Sequence, residues 1–137
     1  MLQASSWIDM IFDHQGARMS VGDWIFSSKD VAATLPTDPE VMKFAYALRH
    51  GTMKVGLYAP VGEDNQTPHK QDELYVIVSG SGFFEKEGER RPFASNDIIF
   101  VPAGEDHRFV DFTADFTAWV IFWGVEGGER GAGSRVS

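Results

Sequence analysis

The sequence predicts an all-β domain, a single antiparallel barrel or sandwich preceded by an N-terminal arm. Three observations predict it. Short runs rich in β-branched and aromatic residues recur from residue 44 to residue 123; Gly, Pro, Asn or Asp close each run; and almost no helical periodicity lies between them. At 137 residues, 43% hydrophobic and 13% aromatic, the chain has material for one core and no room for a second catalytic domain.

Residues 1–28 read as the arm: Trp7, Ile8, Met10, Ile11 and Phe12 form a short apolar group before the polar run Asp13-His14-Gln15-Gly16. The barrel is expected over 29–124. Its first elements admit two readings. Asp38-Pro39-Glu40 and Gly51 fit the start and stop of a helix. Phe44, Tyr46 and Leu48, a turn at His50-Gly51, and Met53, Val55 and Leu57 instead alternate as a hairpin. The hairpin is preferred, because alternating segments then continue to the end of the domain. Strands follow at 73–79, closed by Gly80-Ser81-Gly82; at 83–86 and 90–93 around Glu87-Gly88; at 98–101, stopped by Pro102; at 107–112; and at 116–123. The last is apolar on both faces, with Phe116, Ala118, Val120 and Phe122 on one and Trp119, Ile121 and Trp123 on the other. The second face needs a cover, from the arm or from a second subunit, and a homodimer is expected. Residues 125–137, with four glycines and no aromatic, read as a flexible tail.

Composition excludes several classes. A net charge of −8 with no Lys/Arg cluster repels phosphate backbones, so no nucleic-acid partner is expected. The longest apolar runs, such as 118–123, fall far short of the roughly 20 residues of a membrane helix. The first residues lack a basic start and a small-residue cleavage site, and there is no cysteine, so a cytoplasmic location is expected. Without cysteine, metal ligands must come from His, Asp and Glu. No phosphate-cradling loop and no nucleophile elbow is present.

The chemistry concentrates in His69-Lys70-Gln71-Asp72-Glu73 and Pro102-Ala103-Gly104-Glu105-Asp106-His107. Residues two or four apart on a strand share a face, so Glu73, Tyr75 and Ile77 point together, joined by His69 and Gln71 if the strand starts early. His107, Phe109 and Asp111 share parity on the second segment. Two imidazoles and a carboxylate from neighbouring strands would hold one transition ion on one side, leaving positions free.

These motifs resemble those of the small single-domain cupins. The spacing His69, three residues, Glu73, six residues, Gly80 matches the second half of the family's first motif. Pro102-x-Gly104-x-x-His107 matches the second motif, with Asn96 in place of its opening Gly and Asp111 in place of its closing Asn. The resemblance spans roughly residues 43–124. It implies a jelly-roll barrel and one divalent transition metal (Fe, Mn, Ni, Co or Zn) held by His69, Glu73 and His107. Thr67 stands where the family has its first histidine, and Gln66 or Gln71 could lend an amide oxygen. Thr67, Gln71 and Phe109 are expected around a cavity for a small-molecule ligand, and Tyr75 is a candidate proton donor. His14 and His50 are read as structural. Asp72, Glu85, Glu87, Glu89, Arg90 and Arg91 are read as solvated hairpin charges. The resemblance implies a metal-dependent enzyme of dioxygenase or isomerase type acting on an oxygen-bearing molecule. The alternative is a non-catalytic binding module with a structural or vestigial metal site.

Overall fold

Alternation of apolar side chains decides the architecture, and in the computed structural model, which describes residues 24–129, it yields eight antiparallel strands. The apolar group at residues 7–12 and the tail from residue 130 lie outside the described residues. Among the described residues one short helix, α1 (Ser28–Ala32), starts at Ser27, whose hydroxyl accepts from the Asp30 amide at 3.0 Å. Asp38-Pro39-Glu40 starts no helix: the Asp38 carboxylate accepts the Glu40 amide at 2.9 Å and closes a local turn. The hairpin reading holds, with β1 (Phe44–His50) returning as β2 (Met53–Tyr58) through Gly51.

The remaining strands are β3 (Asp72–Ser79), β4 (Ser81–Lys86), β5 (Glu89–Ala94), β6 (Ile98–Val101), β7 (His107–Val110) and β8 (Thr117–Trp123). They form a five-stranded sheet in the order β1-β2-β8-β3-β6 and a three-stranded sheet in the order β5-β4-β7, the two-sheet arrangement of a jelly roll. Pro92, which cannot donate to a ladder, lies on the edge strand β5. Between the sheets, Tyr75, Ile77, Val120 and Phe122 from the larger meet Phe84, Phe93 and Phe109 from the smaller in one core. Tyr75 packs edge-on against Phe109 with ring centroids 4.8 Å apart, a favoured aromatic geometry.

One correction concerns β1. A bulge between Tyr46 and Leu48 breaks the alternation, so Phe44 and Tyr46 face inward while Leu48 turns to the outer face. There it joins Ala47, Leu57 and Trp119, and Phe26, Val31 and Leu35 cover this cluster. Part of the second apolar face of β8 is thus covered from within the chain, by the end of the arm and α1.

Candidate metal centre

Inward alternation on β3 buries Glu73 and Tyr75, each 1% exposed, and on β7 it buries His107 at 2%. His69 arrives differently. It lies in the loop before β3, which starts only at Asp72, so its position depends on loop hydrogen bonds rather than on strand parity. The Gly104 amide donates to the His69 carbonyl at 2.8 Å, and the Ala103 amide donates to the Asp72 carboxylate at 2.9 Å. The turn that delivers His107 is thereby tied to the loop that delivers His69. Asp72 is a buried clasp, 5% exposed, which corrects its reading as a solvated charge.

Three groups converge. Glu73 Oε1 is 3.1 Å from His107 Nε2 and 3.7 Å from His69 Nε2, and one ligand atom from each residue lies within 4.8 Å of the other two. Metal–ligand bonds of about 2.0–2.2 Å place neighbouring donors roughly 3–3.5 Å apart, so the spacing fits a transition ion. The donor set, two imidazoles and a carboxylate, is that of a facial site. Among the described residues Glu73 Oε2 is buried with no hydrogen-bond partner, a cost that a bound cation would remove. His107 Nδ1 faces the Glu105 carbonyl at 2.8 Å; a carbonyl only accepts, so in the neutral ring Nε2 is the atom with the lone pair.

A second layer, largely illegible in the sequence, supports this group. Asp64, 4% exposed, receives four donors: Tyr58 Oη at 2.6 Å and the Gln66 amide at 3.1 Å on one oxygen, Gln66 Nε2 at 2.7 Å and the Phe109 amide at 2.8 Å on the other. With its nitrogen held by Asp64, the Gln66 side chain must aim its oxygen at the centre. That oxygen lies 3.0 Å from His69 Nε2 and accepts from Tyr75 Oη at 3.0 Å. Tyr75 Oη is also 3.0 Å from His107 Nε2.

The environment separates the two imidazoles. Burial lowers the pKa of His69, only partly opposed by the negative charge of Glu73. For His107 burial also acts downward, but the hydrogen bonds to Glu73 and to the Glu105 carbonyl, with the charges of Glu73 and Asp64, outweigh it and raise the pKa. Burial, reinforced by the charge of Glu73, pushes Tyr75 well above the usual phenol range and keeps its proton in place.

His69, Glu73, Gln66 and Tyr75 line a cavity of about 300 Å³ walled by Phe44, Tyr46, Tyr58, Val120 and Phe122, while His107 lies behind Glu73 and Tyr75, outside the lining. Two cavity expectations need correction. Thr67 is exposed and absent from the lining, because the loop turns Gln66 inward in its place. Phe109 is also absent; it lies beneath the Tyr75 ring in the core. Gln71 lines the rim, but its amide nitrogen is engaged with the Thr52 and Gly124 carbonyls, both at 2.9 Å. Asp111, with a φ of +50°, lies past the end of β7, exposed and paired with Arg90 at 2.6 Å. Of the two histidines read as structural, His50 ends β1 at the surface and His14 lies outside the described residues.

Comparisons with known proteins bear on the fold. The family profile described as Cupin domain matches residues 55–122. An uncharacterized protein of Streptomyces coelicolor is 40% identical over 77 residues, which cover 55% of this chain and 73% of that protein. A Cupin 2 conserved barrel domain protein from Salinispora arenicola has a TM-score of 0.58 at 19% identity, covering 77% of this chain and 91% of its own. A Thermus thermophilus protein has a TM-score of 0.60 at 22% identity, covering 72% and 95%. At such identities the structural likeness is one of fold.

Proposed function

The chain belongs to the cupin domain family, and from that premise we propose that it is a mononuclear metal-binding cupin. In this reading it is a metal-dependent enzyme of dioxygenase or isomerase type, acting on a small oxygen-bearing molecule. The observation that carries the metal reading is the convergence of His69 and His107 on Glu73 Oε1, with Oε2 of the same buried carboxylate left without a partner among the described residues. His69, Glu73 and His107 would hold the ion, and Gln66 Oε1, aimed by Asp64, would supply a fourth donor in place of the imidazole that Thr67 cannot provide. A divalent ion here supplies Lewis-acid polarisation of a substrate oxygen, or a place for dioxygen.

The chain's own residues do the rest. Tyr75 keeps a proton at Oη on the cavity floor, beside the metal-ligand group, where it can donate to a developing negative oxygen. Phe44, Val120 and Phe122 give the space above it apolar walls. The Glu105 carbonyl fixes the His107 ring.

The test is metal analysis of protein purified without added metal, repeated on His69→Ala and Glu73→Ala. One equivalent of ion in the wild type, lost in both variants with little change in melting temperature, is the expected result; a wild type that takes up no ion would sink the proposal. Oxygen consumption with iron(II) and a panel of catechols, thiols and keto acids then tests the dioxygenase branch. The exposed Thr67 favours a second reading, a non-catalytic ligand-binding module with a structural or vestigial metal. A melting temperature that collapses with the ion, together with an inert panel, would select it.

A further inference from the structure

Lys54, with Lys70 and Glu126, is one of three charged residues that line the cavity and take no part in the centre. It lies on β2 opposite Phe122, on the inward side of the sheet, and its stem lines the cavity. Its ammonium sits over the Phe122 ring, 5.5 Å from the centroid, and the His69 ring packs on the same Phe122 with centroids 5.0 Å apart. Lys54 and His69 therefore share one aromatic neighbour and line the same cavity. Among the described residues this ammonium has no hydrogen bond and no ion pair.

A cation in a largely apolar cavity that pairs with neither of the lining carboxylates, Glu73 and Glu126, is incompletely compensated. Burial, followed by the charge of Arg49, lowers the pKa of Lys54, and the rim carboxylate Glu126 opposes this without reversing it. A divalent ion balanced by one Glu73 carboxylate would add a further positive charge in the same cavity. Such a cavity favours an anion. A lysine ammonium holds either a carboxylate or a phosphate as a point charge; the carboxylate, smaller and singly charged, is the better match to one unpaired ammonium in a cavity of about 300 Å³ that also holds the Glu126 carboxylate. The aromatic and aliphatic walls leave room for a short carbon chain.

We propose that the cavity takes a small monocarboxylate, its carboxylate held by the Lys54 ammonium and a second oxygen directed at His69, Glu73 and His107. This rests on the metal reading above and narrows its substrate class to acids carrying an adjacent carbonyl or hydroxyl. The experiment titrates cobalt(II)-loaded protein calorimetrically with 2-oxo acids of about three to six carbons and with their uncharged methyl esters. At least one acid should bind ten times or more tighter than its ester. Lys54→Met, which keeps the stem against Phe122, should take up the same cobalt yet lose that preference at least tenfold, and Lys54→Arg should retain it. Equal binding of acid and ester, binding of no acid, or an unchanged preference in Lys54→Met overturns the inference while cobalt uptake leaves the metal reading standing. A wild type that takes up no cobalt removes both.

Discussion

At the scale of single residues, the centre depends on groups that decide which atom points where. The Glu105 carbonyl selects the His107 tautomer, and Asp64 selects the orientation of the Gln66 amide. Replacing Asp64 by Asn leaves the volume but puts an NH₂ group among four donors. We expect a loss of roughly 2–4 kcal/mol in urea unfolding of the metal-free protein, together with weaker cobalt(II) uptake as Gln66 loses its orientation. Unchanged stability would show that the four bonds matter little. His69, Glu73 and His107 were legible because they recur at a recognisable spacing beside turn residues. Asp64, Asp72 and Lys54 were not, because their roles come from partners far along the chain, such as the Phe109 amide for Asp64 and the Ala103 amide for Asp72. A lone acid in a polar run carries no local signal of that kind.

At the scale of elements, periodicity located the strands well but said less about their ends. The hairpin at residues 44–58 follows from alternation, whereas the bulge that sends Leu48 outward is invisible to it. Strand parity placed Glu73, Tyr75, His107 and Phe109 on inward faces, but it could not place His69, which reaches the centre from a loop. Gly80, the residue that matched the end of the first motif, has a φ of +86°, and a Cβ there would lie 2.6 Å from the Phe116 Cα. Gly88 has the same φ of +86° but open space around it. Gly88→Ala should therefore cost about 1 kcal/mol, the conformational penalty alone. Gly80→Ala should cost clearly more, since the backbone between β3 and β4 must also move. Denaturant midpoints of the two variants check this, and equal losses would contradict it.

At the scale of the whole molecule, the five-stranded sheet is apolar on both faces. Register aligns Ile121 with Leu74 and Leu74 with Phe100, and Trp119 with Val76 and Val76 with Ile98, in two rows across the outer face. The α1 segment covers the Trp119 end, but Ile98 at the β6 edge is 65% exposed. A second copy of the chain would bury this end, so sedimentation should report a dimer that Ile98→Asp weakens; a wild-type monomer would remove that expectation. Strand rhythm made an antiparallel barrel or sandwich legible and the cupin resemblance narrowed it to a jelly roll; a cover from the arm was expected, and Phe26 supplies part of it, but the share of Val31 and Leu35 was not legible, because so short a helix leaves no periodic trace.

The Asp72 clasp reaches further than the turn it holds. Its second oxygen accepts the Glu129 amide at 2.9 Å, and the Gly127 amide donates to the Lys70 carbonyl at 2.7 Å. Residues 127–129, read from composition as part of a loose tail, thus share one carboxylate with the turn before His107. Purification tags or fusion partners spliced directly after Gly124 would strip both bonds and slacken the approach of that histidine, whereas the same additions placed beyond residue 129 would spare it.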